Sequence, residues 1–173
     1  RLASGAYQAL VRVSNETSGT SPDWFRVELV VAGDQPAESV TVDDRDAGFY
    51  ATPDFWVGHR FCRCPEKKRG YGGFYLTNGG RAAAGEFVRF TPDLRAGAYE
   101  VALSDQTPFS AGGEFDVRVR HAEGEKVVRM RPAESRSIGS FTFEEGMDGF
   151  VEILAEGSKG LVIADAVTFR PSR

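Results

Sequence analysis

Short runs in which apolar and polar residues alternate recur along this chain, and a Gly-, Pro- or Asn-containing turn signal separates most of them. The clearest pair flanks a corner in residues 89–103, RFTPDLRAGAYEVAL, with Val88 and Phe90 on one face before it and Tyr99 and Val101 on one face after it. A period of two predicts half-buried strands, and the proline and glycine between them predict a compact connection. Because no helix-length periodic run interrupts the series, the sequence predicts an all-β antiparallel sandwich.

The first part of the chain reads as a separate strand pair. Residues 6–13 and 25–31 both alternate, and a Ser-, Thr- and Gly-rich loop joins them. Residues 32–39 contain Gly33 and Pro36 and form the best internal boundary. Since a lone hairpin is marginally stable in water, we expect residues 1–40 to be an N-terminal extension or the tail of a preceding domain, and residues 41–173 to be the sandwich.

Charge and hydropathy exclude several classes of function. The net charge of −4 gives no basic footprint for nucleic acid, and charges of both signs are spread along the chain. No apolar run approaches the roughly 20 residues that a membrane span needs. We therefore expect neither nucleic-acid binding nor membrane insertion.

The two cysteines, Cys62 and Cys64, are separated by one residue. A bridge across a single residue would close a strained ring, and a zinc site that used both with His59 would lack a fourth ligand. The sequence leaves open whether these thiols are bridged, free or metal-bound.

Five motifs in a fixed order resemble the golvesin or xanthan-lyase carbohydrate-binding-domain-like module. They are VTVDDRDAGF at 40–49, RGYGGFYL at 69–76, RFTPDLRAGAYEV at 89–101, IGSFTFEEGMDGFVEI at 138–153 and LVIADAVTF at 161–169. The resemblance implies a galactose-binding-like jelly roll that serves as a non-catalytic accessory module. It also implies a secreted, cell-surface or periplasmic protein, in which the module accompanies a parent catalytic domain or neighbouring subunits.

The aromatic, largely aperiodic segment 52–85 is the leading candidate for a glycan site. Sugar rings stack their C–H faces on aromatic side chains, and nearby polar groups fix their orientation. The predicted ligand-binding residues are Trp56, Tyr71, Tyr75, Asp54, Arg60 and Arg81. The alternative is that these rings cover an open end of the core as ordinary packing residues.

An acidic turn supplies a candidate metal site. Asp43 and Asp44 end a predicted strand, and Asp165 lies in the last strand motif, so the three approach one another if the first and last strands of the sandwich are neighbours. Calcium prefers oxygen ligands such as carboxylates, so the candidate cofactor at this site is a structural calcium ion. The alternative is that these aspartates tie turns or pair with Arg45.

Nothing in the sequence favours catalysis. His59 and His121 are the only histidines, and neither lies in a nucleophile motif. Two functional hypotheses follow. The first is a non-catalytic module that binds polysaccharide weakly through the aromatic loop. The second is a structural or interaction module that docks on a parent catalytic domain or a larger assembly.

Overall fold

The computed structural model describes residues 5–13, 23–31, 37–60, 70–106 and 113–172. The chain divides into two compact units, Arg1–Pro36 and Ala37–Arg173. Within the described residues, no helix is long and apolar enough to cross a membrane. The division lies close to the predicted boundary at residue 40; the assignment of the first unit to a preceding domain stays a prediction.

The first unit is a two-stranded antiparallel sheet made of β1 (Gly5–Val13) and β2 (Asp23–Val31). Gly5 lies opposite Val31 and Val13 lies opposite Asp23, so the pairing runs the full length of both strands. The side chains that are described in this sheet are all exposed: Gln8, Ala9, Val11, Arg26, Val27 and Glu28. This finding confirms the predicted N-terminal strand pair.

The described residues of the second unit form twelve strands. They are β3 (Val40–Asp43), β4 (Phe49–Ala51), β5 (Val57–Arg60), β6 (Phe74–Thr77), β7 (Phe87–Phe90), β8 (Gly97–Leu103), β9 (Glu114–His121), β10 (Gly124–Met130), β11 (Ser137–Phe143), β12 (Phe150–Lys159), β13 (Ile163–Ala164) and β14 (Ala166–Pro171). A short 3-10 turn at Tyr71–Gly73 precedes β6.

Two of its sheets form the sandwich. The five-stranded sheet has the order β10-β9-β12-β7-β4, and the four-stranded sheet has the order β11-β8-β14-β3. All strand pairs are antiparallel. Alternate residues of both sheets are buried in one apolar core, which confirms the predicted fold class because a period-two pattern places every second side chain on the inner face.

The corner in residues 89–103 carries the chain from one sheet to the other. β7 belongs to the five-stranded sheet and β8 to the four-stranded sheet. The Tyr99 ring is 1% exposed, and its hydroxyl donates a hydrogen bond to the Arg95 carbonyl at 3.0 Å. The tyrosine thus anchors the backbone of the corner while it fills the core.

The segment 52–85 is more regular than its sequence predicts. It contributes β5 and β6, which form a third sheet with β13 in the order β13-β6-β5. Gly58 in β5 faces the Phe74 ring, because a Cβ at Gly58 would lie 2.6 Å from Phe74 Cζ. A glycine covered by an aromatic ring breaks the alternation of apolar and polar residues. The two-residue periodicity of the sequence therefore does not identify these strands.

Candidate functional site

Three aspartates meet where the small sheet joins the four-stranded sheet. Asp43 ends β3, and Asp165 is the single residue between β13 and β14, so the chain changes from one sheet to the other there. β3 and β14 are neighbours, with Asp43 opposite Ala166. Oxygens of Asp43, Asp44 and Asp165 all lie within 4.8 Å of one another. We call this group the aspartate triad.

All three carboxylates are buried, with 8%, 8% and 2% of the residue exposed for Asp43, Asp44 and Asp165. Among the residues that the structure describes, neither carboxylate oxygen of Asp44 has a hydrogen-bond partner. A buried carboxylate without partners is costly, and a bound cation is one way to offset that cost. Asp43 Oδ1, by contrast, accepts a hydrogen bond from the Asp44 amide at 2.9 Å.

The electrostatics of the triad reflect this crowding. Burial, followed by the charges of Asp43 and Asp165, raises the pKa of Asp44 to about 8. Burial is also the main cause that raises the pKa of Asp43, and the neighbouring Asp46 adds to it. Without a cation, the site therefore disfavours the ionised form of its own carboxyl groups.

A glycine-rich turn closes over the triad. Both oxygens of Asp165 accept a hydrogen bond from the Tyr71 amide at 3.0 Å. Gly72 has φ +63°, and a Cβ there would lie 2.8 Å from Asp43 Oδ2. Gly70 has φ +80°, and its Cβ would lie 3.3 Å from Asp165 Oδ1. The GYGG sequence therefore permits a close backbone approach that other residues would obstruct.

The triad fits a calcium ion. Calcium binds oxygens at 2.3–2.6 Å, so two oxygens on one ion lie at most about 5 Å apart. The triad oxygens satisfy this limit. An ion held by Asp43, Asp44 and Asp165 would supply positive charge to a buried acidic cluster and would tie β3 to the β13–β14 junction.

The predicted glycan residues do not share one role. Trp56 is half-buried and packs against the core, with its Nε1 donating to Thr52 Oγ1 at 3.2 Å. Its ring makes an edge contact with Phe55 at 5.6 Å between centroids. Trp56 therefore has the contacts of the packing alternative.

The polar members of the predicted site lie in or near the same loop. The Arg81 guanidinium lies 4.7 Å from the Phe55 ring centroid and donates to the Phe55 carbonyl at 2.6 Å. Asp54 is exposed in a turn with φ +64°, a conformation that aspartate adopts more readily than most residues. Arg60 is the last residue of β5, and its side chain lies outside the described part of the structure.

Tyr71 and Tyr75 lie near the triad. Tyr71 is 37% exposed, and its amide binds Asp165. Tyr75 is half-buried and stacks on His59 with the rings 5.3 Å apart and 19° from parallel. His59 Nε2 also makes a 3.0 Å hydrogen bond with Thr77 Oγ1. The Tyr75 ring is thus packed on His59, whereas Tyr71 is held through its amide and has the largest exposed fraction of the predicted aromatics.

The cysteine question falls outside the described residues. Cys62 and Cys64, together with the basic run Lys67 to Arg69, belong to residues 61–69, which the structure does not describe. The proposed bridged, free and metal-bound states of the two thiols stay open.

Sequence reasoning missed a buried charge on the outer face of the five-stranded sheet. Glu152 is 1% exposed and binds Arg89 and Arg118, which lie on the strands to either side. Side chains alternate along β12, so the Glu152 side chain points away from the side occupied by Val151 and Ile153, and the pattern predicts that Glu152 lies on the outer face of the sheet. The two arginines cover the Glu152 carboxylate, and they reach it only because of the register between the paired strands.

Comparison with known proteins identifies solved structures with a similar fold but does not assign the chain to a family. No family model matches the chain, and no curated protein matches it. A Paenibacillus xanthan lyase structure matches over 99% of this chain with 21% identity and a TM-score of 0.67. A Podospora anserina GH26-CBM35 β-(1,4)-mannanase matches over 79% of this chain with 14% identity and a TM-score of 0.52.

Both matches concern parts of longer proteins. This chain covers 20% of the xanthan lyase chain and 28% of the mannanase chain. At such identities, the likeness shows a shared fold. The chain therefore has a β-sandwich fold that also occurs within larger carbohydrate-active enzymes.

Proposed function

We propose that this chain is a non-catalytic, carbohydrate-binding accessory module of a secreted or cell-surface protein. The observation that carries the proposal is the fold match over 99% of the chain to one part of a xanthan lyase. The order of the five sequence motifs supports the same golvesin-like, galactose-binding-like jelly roll. The ligand is a polysaccharide, and a parent catalytic domain is the expected neighbour.

Local contacts of the two histidines support a non-catalytic role. His59 stacks on Tyr75 and makes a hydrogen bond with the hydroxyl of Thr77, which is buried. His121 Nδ1 accepts the Glu123 amide at 3.4 Å, and its ring packs on Phe141 at 5.2 Å. Both histidines thus have local structural partners, and the hydroxyl bound to His59 is shielded from solvent.

The proposal includes a structural calcium ion at the aspartate triad. The Asp44 oxygens, which have no hydrogen-bond partner in the described part of the chain, and the close approach of Gly72 support it. The ion contributes positive charge to the cluster, while Asp43 and Asp165 hold the ends of two neighbouring strands. Its position beside Tyr71 also makes it a support for the aromatic turn.

Affinity electrophoresis tests carbohydrate binding. The chain is run in native gels that contain acidic or neutral polysaccharides, with an unrelated protein of similar charge as the mobility control. We expect retardation by at least one polysaccharide. Mobility that matches the control in every gel would refute the proposed function.

The exposed hairpin side chains favour a second function, in which the first unit docks on another folded partner. Val11 and Val27 are 43% and 47% exposed and are diagonal neighbours on one face of the hairpin, since Val27 lies opposite Ala9, two residues before Val11; a contiguous exposed apolar patch marks an interaction site. Sedimentation velocity of the chain beside a Val11→Asp, Val27→Asp double variant tests self-association. A concentration-dependent dimer that the double variant loses supports this function, and a monomer at all concentrations contradicts docking between copies.

A further inference from the structure

One row of residues crosses the whole five-stranded sheet on its outer face. Pairing places these residues directly opposite one another on β4, β7, β12, β9 and β10, in the order Tyr50, Arg89, Glu152, Arg118 and Val127. Their neighbours along each strand, such as Val88 and Val151, are buried in the core. Since side chains alternate between faces, the row points away from the core.

The centre of this row is a covered carboxylate that holds two guanidinium groups. Glu152 Oε1 accepts hydrogen bonds from Arg89 Nε at 2.9 Å and Arg89 Nη2 at 2.6 Å, and Oε2 accepts one from Arg118 Nη1 at 2.9 Å. Glu152 is 1% exposed, whereas each arginine side chain is 39% exposed. Each guanidinium has five N–H donors, so both keep donors for a further acceptor.

Aromatic rings surround the Arg89 end of the row. The Arg89 Cζ atom lies 4.3 Å from the Phe150 ring centroid and 5.3 Å from the Phe87 centroid. The Tyr50 ring lies 5.8 Å from Phe87 and is 49% exposed. The guanidinium is thus fixed by a carboxylate on one side and by rings on the other, which leaves little side-chain entropy to lose when a ligand binds.

We propose that this outer face is the polysaccharide-binding surface and that it selects a carboxylate-bearing, uronate-type glycan. Tyr50 offers an exposed ring for the C–H face of a sugar, and Arg89 and Arg118 offer fixed N–H donors to a sugar carboxylate. Arg120, whose side chain is 55% exposed, lies beside Arg118 on the same face of β9; its Nη1 is 3.4 Å from Glu125 Oε1, and Arg118 Nε is 3.9 Å from Glu125 Oε2, so this third guanidinium keeps only part of its donors for a ligand.

Charge complementarity decides the class of ligand. Glu152 is covered by its two arginines, and the half-exposed carboxylate Glu125 lies at the Arg118 and Arg120 end, so guanidinium and aromatic groups dominate the accessible surface at the Arg89 end of the row. Adjacent strands lie about 4.8 Å apart, which places the Cα atoms of Arg89 and Arg118 about 10 Å from each other across β12, while both guanidinium groups converge on the Glu152 carboxylate between them. An extended anionic chain that crosses the strands meets both. This inference rests on the proposed function, since it assigns a surface and ligand class to the same binding activity.

Affinity electrophoresis in polygalacturonate and in neutral hydroxyethylcellulose tests the surface. The variants are Tyr50→Ala and Arg120→Gln on the outer face and Tyr71→Ala in the loop that the sequence predicts as the site, with Leu161→Ala, at an exposed apolar residue outside both, as the control. We expect polygalacturonate to retard the wild type and Leu161→Ala equally, and Tyr50→Ala to bind about three- to tenfold more weakly. Arg120→Gln should also bind more weakly, and added salt should reduce the retardation of the wild type.

Three results would overturn the inference while the proposed function stands: wild-type binding in Tyr50→Ala together with loss in Tyr71→Ala, unchanged binding in both outer-face variants, or retardation by the neutral polysaccharide alone. A wild type that no polysaccharide retards fails the proposed function itself. Thermal melting of each variant beside the wild type establishes that it is folded. If Arg120→Gln does not fold, Tyr50→Ala decides, because Tyr50 is half-exposed on an edge strand.

Discussion

Removal of calcium should lower the melting temperature of the wild-type chain by several degrees. A dissociation constant of about 10⁻⁴ M, at the tighter end for extracellular calcium modules, makes about 10 mM calcium a hundredfold excess. Binding to the folded state alone then stabilises it by about 2.7 kcal/mol. The second unit has about 140 residues. At about 2.1 cal/mol/K per residue, its unfolding entropy is about 0.3 kcal/mol/K, so the expected shift is about 9 °C.

Asp44→Asn separates ion binding from an ordinary structural role. The substitution removes a carboxylate that burial and two neighbouring carboxylates disfavour, and it leaves the side chain nearly the same size. In chelator, the variant should therefore melt at or above the wild-type temperature. In calcium, it should gain much less than the wild type. The order of the two melting curves is thus expected to reverse between the two buffers.

Differential scanning calorimetry in 10 mM calcium and in excess chelator measures both effects, and isothermal titration calorimetry measures the affinity directly. Asp93→Asn is the matched control, because Asp93 is an exposed carboxylate outside the triad. It should behave as the wild type does in both buffers. A wild-type melting temperature that calcium and chelator leave equal would refute the metal site.

Three further substitutions test other parts of the structure. Gly72→Ala should destabilise the chain by about 1–3 kcal/mol and weaken calcium binding, because φ is positive and the new Cβ meets an Asp43 oxygen. Gly73→Ala is the control: φ is also positive, but no described atom lies within 4 Å of its Cβ, so calcium binding should be unchanged in the same calorimetric titration. Glu152→Gln should cost about 1–3 kcal/mol in urea unfolding, a value reduced from that of a fully buried pair because both arginines contact water, and an unchanged midpoint would contradict the buried pair. Tyr99→Phe should cost about 1 kcal/mol at neutral pH through the lost hydrogen bond. Burial raises the pKa of the Tyr99 hydroxyl above its ordinary 10.0, so the folded state retains this proton more strongly than the unfolded chain; wild-type stability should fall as the pH rises above about 10, and the difference from Tyr99→Phe should shrink in urea titrations across that range.

The class of fold follows from local pattern. Alternation in residues 6–13, 25–31 and 97–103 predicted strands that the structure contains as β1, β2 and β8. Period two is a local property, since each residue's direction depends only on its neighbours along the strand. The same reasoning failed for β5 and β6, where Gly58 has no side chain to contribute to the pattern and Phe74 covers it from the paired strand.

The proximity of the three aspartates was predicted from the expected order of the strands, but the environment of their carboxylates was not. The sequence placed Asp43 and Asp44 at the end of one strand and Asp165 in the last strand motif. The expectation that these strands are neighbours brought the three together, and the pairing of β3 with β14 agrees with it. The sequence did not reveal that both oxygens of Asp44 are buried without a hydrogen bond to any described residue, or that the turn at Gly72 closes over Asp43.

The sequence by itself determined that this chain is built from short antiparallel strands around an apolar core, because alternation and turn signals are written locally. Tertiary structure alone decided which side chains meet. The register of three strands places Glu152 between Arg89 and Arg118, and the packing of the loop turns Trp56 toward the core. Burial and partnership depend on residues distant along the chain, so no local pattern encodes them.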